Sequence, residues 1–261
     1  MQRLKRYFVL EPNDQTDITL VFWLGKSPWL SWFLIILTAV CGILSELLPD
    51  LQHTHLLPQG FPAWLNNIVV FGGWYSYYIA GIVFFFFWQL SRWLHRRQRP
   101  APPRRTGIIE SILAIIIITY LGGVLDSWAS QIGAAAKIKD VTDAAEGLVT
   151  VHGTIWQRFV TYMINNWYEL PSEDVFRLSL FTILFVALWW INRPTLRYWL
   201  AFLMTALLFG AWHYSSYGYN LPEAVFEVGL PTIIDGCLWL RTRNLWTFTA
   251  SHFLYDYSGN F

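Results

Sequence analysis

Runs of about 20 apolar residues recur along this sequence, and one such run is long enough to cross a bilayer as a helix. Hydrophobic residues make up 55% of the 261 residues and charged residues only 13%, against about 25% in a typical soluble domain. The sequence therefore predicts an all-α, polytopic membrane protein with about seven transmembrane helices. The predicted spans are Trp29–Leu48, Ile68–Leu90, Ile108–Leu125, Val175–Ile191, Leu196–Trp212, Ala224–Leu240 and Leu245–Tyr257.

Two shorter apolar stretches, Ile18–Leu24 and Phe159–Trp167, are too short to span. They are expected to lie in the membrane interface or to re-enter the bilayer. The chain contains 16 Trp residues, and Trp and Tyr favour this boundary because their rings are apolar at one end and polar at the other.

The distribution of basic residues predicts the orientation. Arg and Lys precede the first span and fill the loop 95–106, whereas the loops 49–67 and 214–223 contain neither. The positive-inside rule then predicts a cytoplasmic N-terminus and an external C-terminus. Lys137 and Lys139 disagree with this assignment. The basic loop also divides residues 1–106, a set of N-terminal spans, from residues 107–261, a helical core that carries most of the polar groups.

Charge and cysteine content exclude two other classes of partner and site. The formal net charge of +1 predicts no nucleic-acid partner. Cys41 and Cys237 both lie in apolar runs, where free cysteine packs as a small hydrophobic residue. Their spacing fits no structural zinc site.

Ionisable residues at bilayer depth are costly and indicate function by default. The first cluster is a run of acids, Glu169, Glu173 and Asp174, followed by Arg177. Glu173 and Arg177 are four residues apart, so they are expected to pair on one helical face. Asp174 is also explained as an acidic residue in the first turn of a helix, near the capping residue Ser172.

Two further clusters contain histidine. His213 ends an apolar helix four residues after Phe209, and His252 precedes Asp256 by four residues on another predicted helix. A carboxylate beside a histidine can fix its tautomer. A lone histidine at a helix end is also common as a boundary residue, and Asp235 is a further intramembrane acid outside these clusters.

Together the clusters place Glu173, His213, His252 and Asp256 on three late helices. Glutamate or histidine can activate a water, and histidine can stabilise an oxyanion. Glu173, His213 and His252 could also bind one metal ion. Either arrangement would allow amide hydrolysis inside the bilayer.

The order and spacing of these clusters resemble the CPBP family, the CAAX protease and bacteriocin-processing intramembrane peptidases. The segment Ser172–Arg177 resembles its first motif, a double Glu with Arg four residues after the second. Phe209–His213 matches Phe-x-x-x-His, and His252–Asp256 matches His-x-x-x-Asn or Asp. The resemblance covers about residues 165–258. It implies that a carboxylate activates water with help from His213, and that His252 and Asp256 stabilise the oxyanion.

The first motif departs from the family at Ser172, which stands where the family has the glutamate held to activate water. A serine hydroxyl cannot act as that base near neutral pH. Three interpretations are open: Glu173 takes the role after a small helix shift, Glu169 reaches back across Pro171, or hydrolysis is lost. Family members are described as metal-dependent or glutamate-only, so zinc is an open cofactor and His-Glu-x-x-His is absent.

The expected function is an intramembrane endopeptidase acting on a membrane-embedded or lipidated peptide in a bacterial plasma membrane. One alternative is a catalytically impaired CPBP homologue that acts in bacteriocin immunity or as a membrane-peptide-binding scaffold. Another is a small transporter using the same acids as a proton relay, although no inverted repeat is evident.

Overall fold

The computed structural model describes residues 5–10, 19–20, 28–53, 63–94, 107–135 and 154–259. Within these ranges the regular structure is helical, which confirms the all-α prediction. The elements are α1 Pro28–His53, α2 Ala63–Leu94, α3 Ile108–Ala135, α4 Ile155–Asn166, α5 Glu169–Ala187, α6 Pro194–Trp212, α7 Leu221–Ala224, a π-helical turn Val225–Gly229, α8 Leu230–Thr242 and α9 Leu245–Gly259.

Helices lie in all seven predicted spans, although α5 ends at Ala187, before the end of the span Val175–Ile191. Among the described residues, three helices are long and apolar enough by composition to cross a membrane. Within the described ranges these are Trp29–Glu46, Ile108–Leu125 and Pro194–Trp212. The count of seven therefore stays a prediction. The basic loop 95–106 and the segment around Lys137 and Lys139 lie outside the described residues, as does most of Ile18–Leu24. The cytoplasmic N-terminus stays a prediction as well.

Helix α5 occupies the centre of the bundle and packs against α1, α2, α6 and α9. It begins at Glu169, six residues before the predicted span. Pro171 is tolerated there because backbone N–H groups in the first turn of a helix have no acceptor within the helix, so proline removes no hydrogen bond. Residues from Leu170 to Ser179 are all buried, including the charged ones. The first half of α5 is therefore the buried polar part of this molecule.

The outer helices expose large apolar side chains instead. Phe33 on α1, Ile79 on α2 and Ile112 on α3 are each more than half exposed. Exposed apolar surface of this extent is characteristic of a face that contacts lipid. The bundle therefore has polar groups inside and apolar groups outside, as expected for a membrane protein.

Close helix approaches at glycine fix the position of α5. A Cβ atom at Gly81 of α2 would lie 2.5 Å from Cβ of Ser172, and one at Gly42 of α1 would lie 2.5 Å from the ring of Phe176. Small residues allow membrane helices to pack at this distance. The side of α5 that carries Ser172 and Phe176 therefore packs against α1 and α2.

The π-helical turn brings α8 against α6 in the same way. Gly210 of α6 approaches the backbone of Val225, and Gly229 approaches the carbonyl oxygen of Ala206. A π-helical turn widens the helix locally and is frequent at functional sites. It leads directly into α8, which carries Asp235.

We expect Gly81→Ala to lower the free energy of unfolding in detergent by about 1 to 3 kcal/mol, the usual cost of overpacking. Thermal unfolding measures the change. The matched control is Gly123→Ala on α3, where an added Cβ meets no atom within 4 Å. The control should melt at or slightly above the wild-type temperature because alanine favours helix. Equal melting of both variants would contradict the close approach of α2 and α5.

Candidate active site

The charged residues of α5 form a network with α8 and α9. One terminal nitrogen of Arg177 lies 2.5 Å from Oδ1 of Asp174 and the other lies 2.9 Å from Oδ2 of Asp235. The guanidinium also faces the rings of Phe209 and Phe248, at 5.1 and 4.6 Å from their centroids. Cations over aromatic faces are stabilised by the ring quadrupole. Arg177 is thus enclosed by two carboxylates and two rings.

The expected pairing of Glu173 with Arg177 is not the contact that forms. Asp174, three residues before the arginine, takes it instead and is fully buried. The interpretation of Asp174 as a simple helix-start residue is therefore wrong. Spacings of three and four residues both lie on one helical face, so the sequence allowed either pairing.

His252 lies among three carboxylates. Its Nδ1 is 3.0 Å from Oδ1 of Asp174, and its Nε2 is 3.8 Å from Glu173 and 3.5 Å from Asp256. A carboxylate accepts a hydrogen bond, so the Nδ1 contact requires a proton on that nitrogen. Asp174 therefore fixes the ring and turns Nε2 towards Glu173 and Asp256.

His213 lies beside this group rather than within it. It follows α6 as its C-terminal capping residue, and its Nδ1 lies 2.9 Å from the carbonyl oxygen of Phe209. Its ring packs edge-on to Phe209 and Trp212. The same Phe209 ring lies 5.1 Å from the guanidinium carbon of Arg177. The structure thus brings Glu173, His252 and Asp256 together and leaves His213 beside them.

Ser172 and Glu169, at the start of α5, face α2. The Ser172 hydroxyl donates to the carbonyl oxygens of Tyr168, at 2.6 Å, and Tyr78, at 3.2 Å. Glu169 accepts a hydrogen bond of 3.2 Å from the Tyr78 hydroxyl. Of the three interpretations, this geometry favours the one in which Glu173 has the central position.

Three residues at the site were not proposed from the sequence as site residues: Asp174, Asp235 and Tyr162. The Tyr162 hydroxyl on α4 donates to Oδ2 of Asp256 at 3.3 Å. The sequence does contain a signal for Asp235, because Arg177 needs a second counter-charge inside an apolar bundle. No local pattern indicates Tyr162, since its proximity depends on how α4 folds onto α9.

The side chains considered for zinc do not assemble into a metal site. Within the described residues no group of three or more His, Cys, Asp or Glu side chains is arranged to hold an ion. His213 is turned to its own helix, and Nδ1 of His252 is occupied by Asp174.

A groove of about 660 Å³ lies between α3 and α9, with Thr119, Trp128, Leu254 and Tyr257 among its walls. Leu254 is two positions from both His252 and Asp256, which turns it to the opposite side of the helix. The groove is therefore separate from the cluster around His252.

The fold is that of a helical membrane protein, and its interior holds a cluster of carboxylates around His252. Residues 150–258 match the family described as Type II CAAX prenyl endopeptidase Rce1-like. Comparisons with curated proteins and with solved structures find no match. The C-terminal part of the chain thus carries an Rce1-like domain, which confirms the resemblance to the CPBP family. At the level of the family, this match supports a CAAX-type intramembrane endopeptidase.

We expect Asp174→Asn to lower the free energy of unfolding by about 3 kcal/mol or more, because it leaves Arg177 buried with one counter-charge. Thermal unfolding in detergent measures the change. The control is Glu110→Gln, which disrupts the ion pair of Arg241 by neutralising a carboxylate whose side chain is 34% exposed. A partly exposed pair contributes less. Equal losses in the two variants would contradict the buried network.

Proposed function

We propose that this protein is an intramembrane endopeptidase that hydrolyses a membrane-embedded or lipidated peptide with a water activated by Glu173. The observation that supports this most is the position of Glu173, 3.8 Å from Nε2 of His252. The two groups are too far apart for a direct hydrogen bond. A water that bridges them would contact a base on one side and an imidazole on the other.

The reaction divides between the residues as follows. Glu173 takes a proton from the water, and the water oxygen bonds to the scissile carbonyl carbon. The carbonyl oxygen becomes an oxyanion, which Nε2 of His252 stabilises when it carries a proton. Glu173 then returns its proton to the peptide nitrogen as the carbon–nitrogen bond breaks, giving a carboxylic acid and an amine. His213 assists from the end of α6.

Asp174 is a positioning residue in this scheme. It accepts hydrogen bonds from Arg177 and from Nδ1 of His252 through the same oxygen atom. A ring held at one nitrogen presents the other in a fixed direction. Glu173 and Asp174 thus divide between them the work that the family gives to two adjacent glutamates, one residue later along the helix.

The alternative of an inactive homologue in bacteriocin immunity or peptide binding rests on Ser172. The packing of Ser172 against Gly81 weakens that argument, because position 172 faces α2 and not His252. The serine is therefore compatible with an active site built on Glu173.

We expect Glu173→Gln to reduce cleavage at least about a hundredfold, the usual contribution of a general base. The assay uses purified protein in liposomes and a fluorogenic peptide that carries a farnesylated cysteine and three C-terminal residues. The matched control is Glu169→Gln, which removes a carboxylate of the same helix that contacts Tyr78. The control should stay within a fewfold of wild type.

Full activity in Glu173→Gln, or a larger loss in Glu169→Gln, would overturn the assignment of the base. No cleavage by the wild-type protein of this peptide or of a transmembrane peptide library would favour the inactive alternative.

A further inference from the structure

Helix α4 is a short amphipathic helix that covers the C-terminal half of α9. It begins with a capping box between Thr154 and Gln157, and none of its residues is fully buried. Its inner side contacts α9 through aromatic rings, with Phe159 at 5.1 Å and Tyr162 at 5.8 Å from the ring of Tyr257. The Tyr257 hydroxyl also donates to the carbonyl oxygen of Ile155 at 2.8 Å. These contacts fix α4 over α9.

Tyr162 projects from α4 towards the reaction centre. Its ring stands edge-on to Phe253 of α9, and its hydroxyl donates to Oδ2 of Asp256 at 3.3 Å. The same oxygen atom is 3.5 Å from Nε2 of His252. The Tyr162 hydroxyl and the reactive face of His252 therefore flank one carboxylate oxygen.

The chemistry of Asp256 creates a need for such a donor. The last family motif ends in Asn or Asp, and these residues differ in what they offer to an oxyanion. An asparagine amide donates hydrogen bonds, whereas an ionised carboxylate only accepts them. A developing negative charge beside Asp256 would be repelled unless another group supplied the hydrogen bond.

We propose that the Tyr162 hydroxyl is a catalytic hydrogen-bond donor to the scissile carbonyl oxygen. In the free protein Asp256 accepts this hydrogen bond and holds the hydroxyl in place. A carbonyl oxygen that enters between them receives it instead, since rotation about the phenolic C–O bond redirects the proton. His252 supplies the second donor. This inference rests on the proposed endopeptidase function and adds a residue outside the three motifs.

The test compares Tyr162→Phe with Tyr257→Phe in the full chain, using the farnesylated peptide in liposomes. Loss of one preorganised oxyanion donor costs about a hundredfold in kcat, so we expect that loss in Tyr162→Phe with little change in KM or melting temperature. Tyr257→Phe removes a hydroxyl from the same aromatic cluster, one that donates to the carbonyl oxygen of Ile155 on the α4 backbone. It should keep kcat within a fewfold of wild type.

Three outcomes would overturn the inference. Wild-type kcat in Tyr162→Phe would show that the hydroxyl has no catalytic role. An equal loss of kcat in both variants would assign the effect to the placement of α4. No cleavage by wild type would instead overturn the proposed function itself, and the role of Tyr162 with it, so that the two failures are distinguishable.

Discussion

The burial of Arg177 is the constraint on which the rest of this structure depends. A guanidinium cannot lose its charge in a protein, so an apolar bundle must surround it with acceptors. Asp174 and Asp235 meet this need from α5 and α8, and two aromatic rings enclose the remaining faces. Because Asp174 is held by the arginine, it has a fixed oxygen to offer His252. One buried cation thereby orders three helices and the imidazole that we assign to catalysis.

A second constraint is steric. A Cβ atom at Gly81 would lie 2.5 Å from Cβ of Ser172, so α2 and α5 are in close contact at the serine. Ser172 satisfies its hydroxyl on two backbone carbonyls and lies away from the histidine. The next residue, Glu173, is about 100° further round the helix and reaches His252. In the proposed function, the packing of Ser172 against α2 leaves the adjacent carboxylate of Glu173 to act at the site.

Much of this arrangement could be predicted from the sequence. The length of the apolar runs predicted where the helices lie. The spacing of His252 and Asp256 correctly predicted that both lie on one face of α9. The partner of Arg177 could not be predicted, because Asp174 and Glu173 both lie within reach on a helix and only the tertiary position of α8 and α9 decides between them. Tyr162 could not be predicted either, since its contact with Asp256 spans 94 positions of the chain.

Asp174, and not Glu173, is the partner of Arg177, and the proposed mechanism assigns Glu173 to the water. Two double-mutant cycles on unfolding free energy in detergent test it directly, one for Asp174→Asn with Arg177→Gln and one for Glu173→Gln with Arg177→Gln. Residues in contact couple by about 0.5 to 3 kcal/mol. We predict coupling in the upper part of that range for Asp174 and a much smaller value for Glu173. The reverse order would contradict the account.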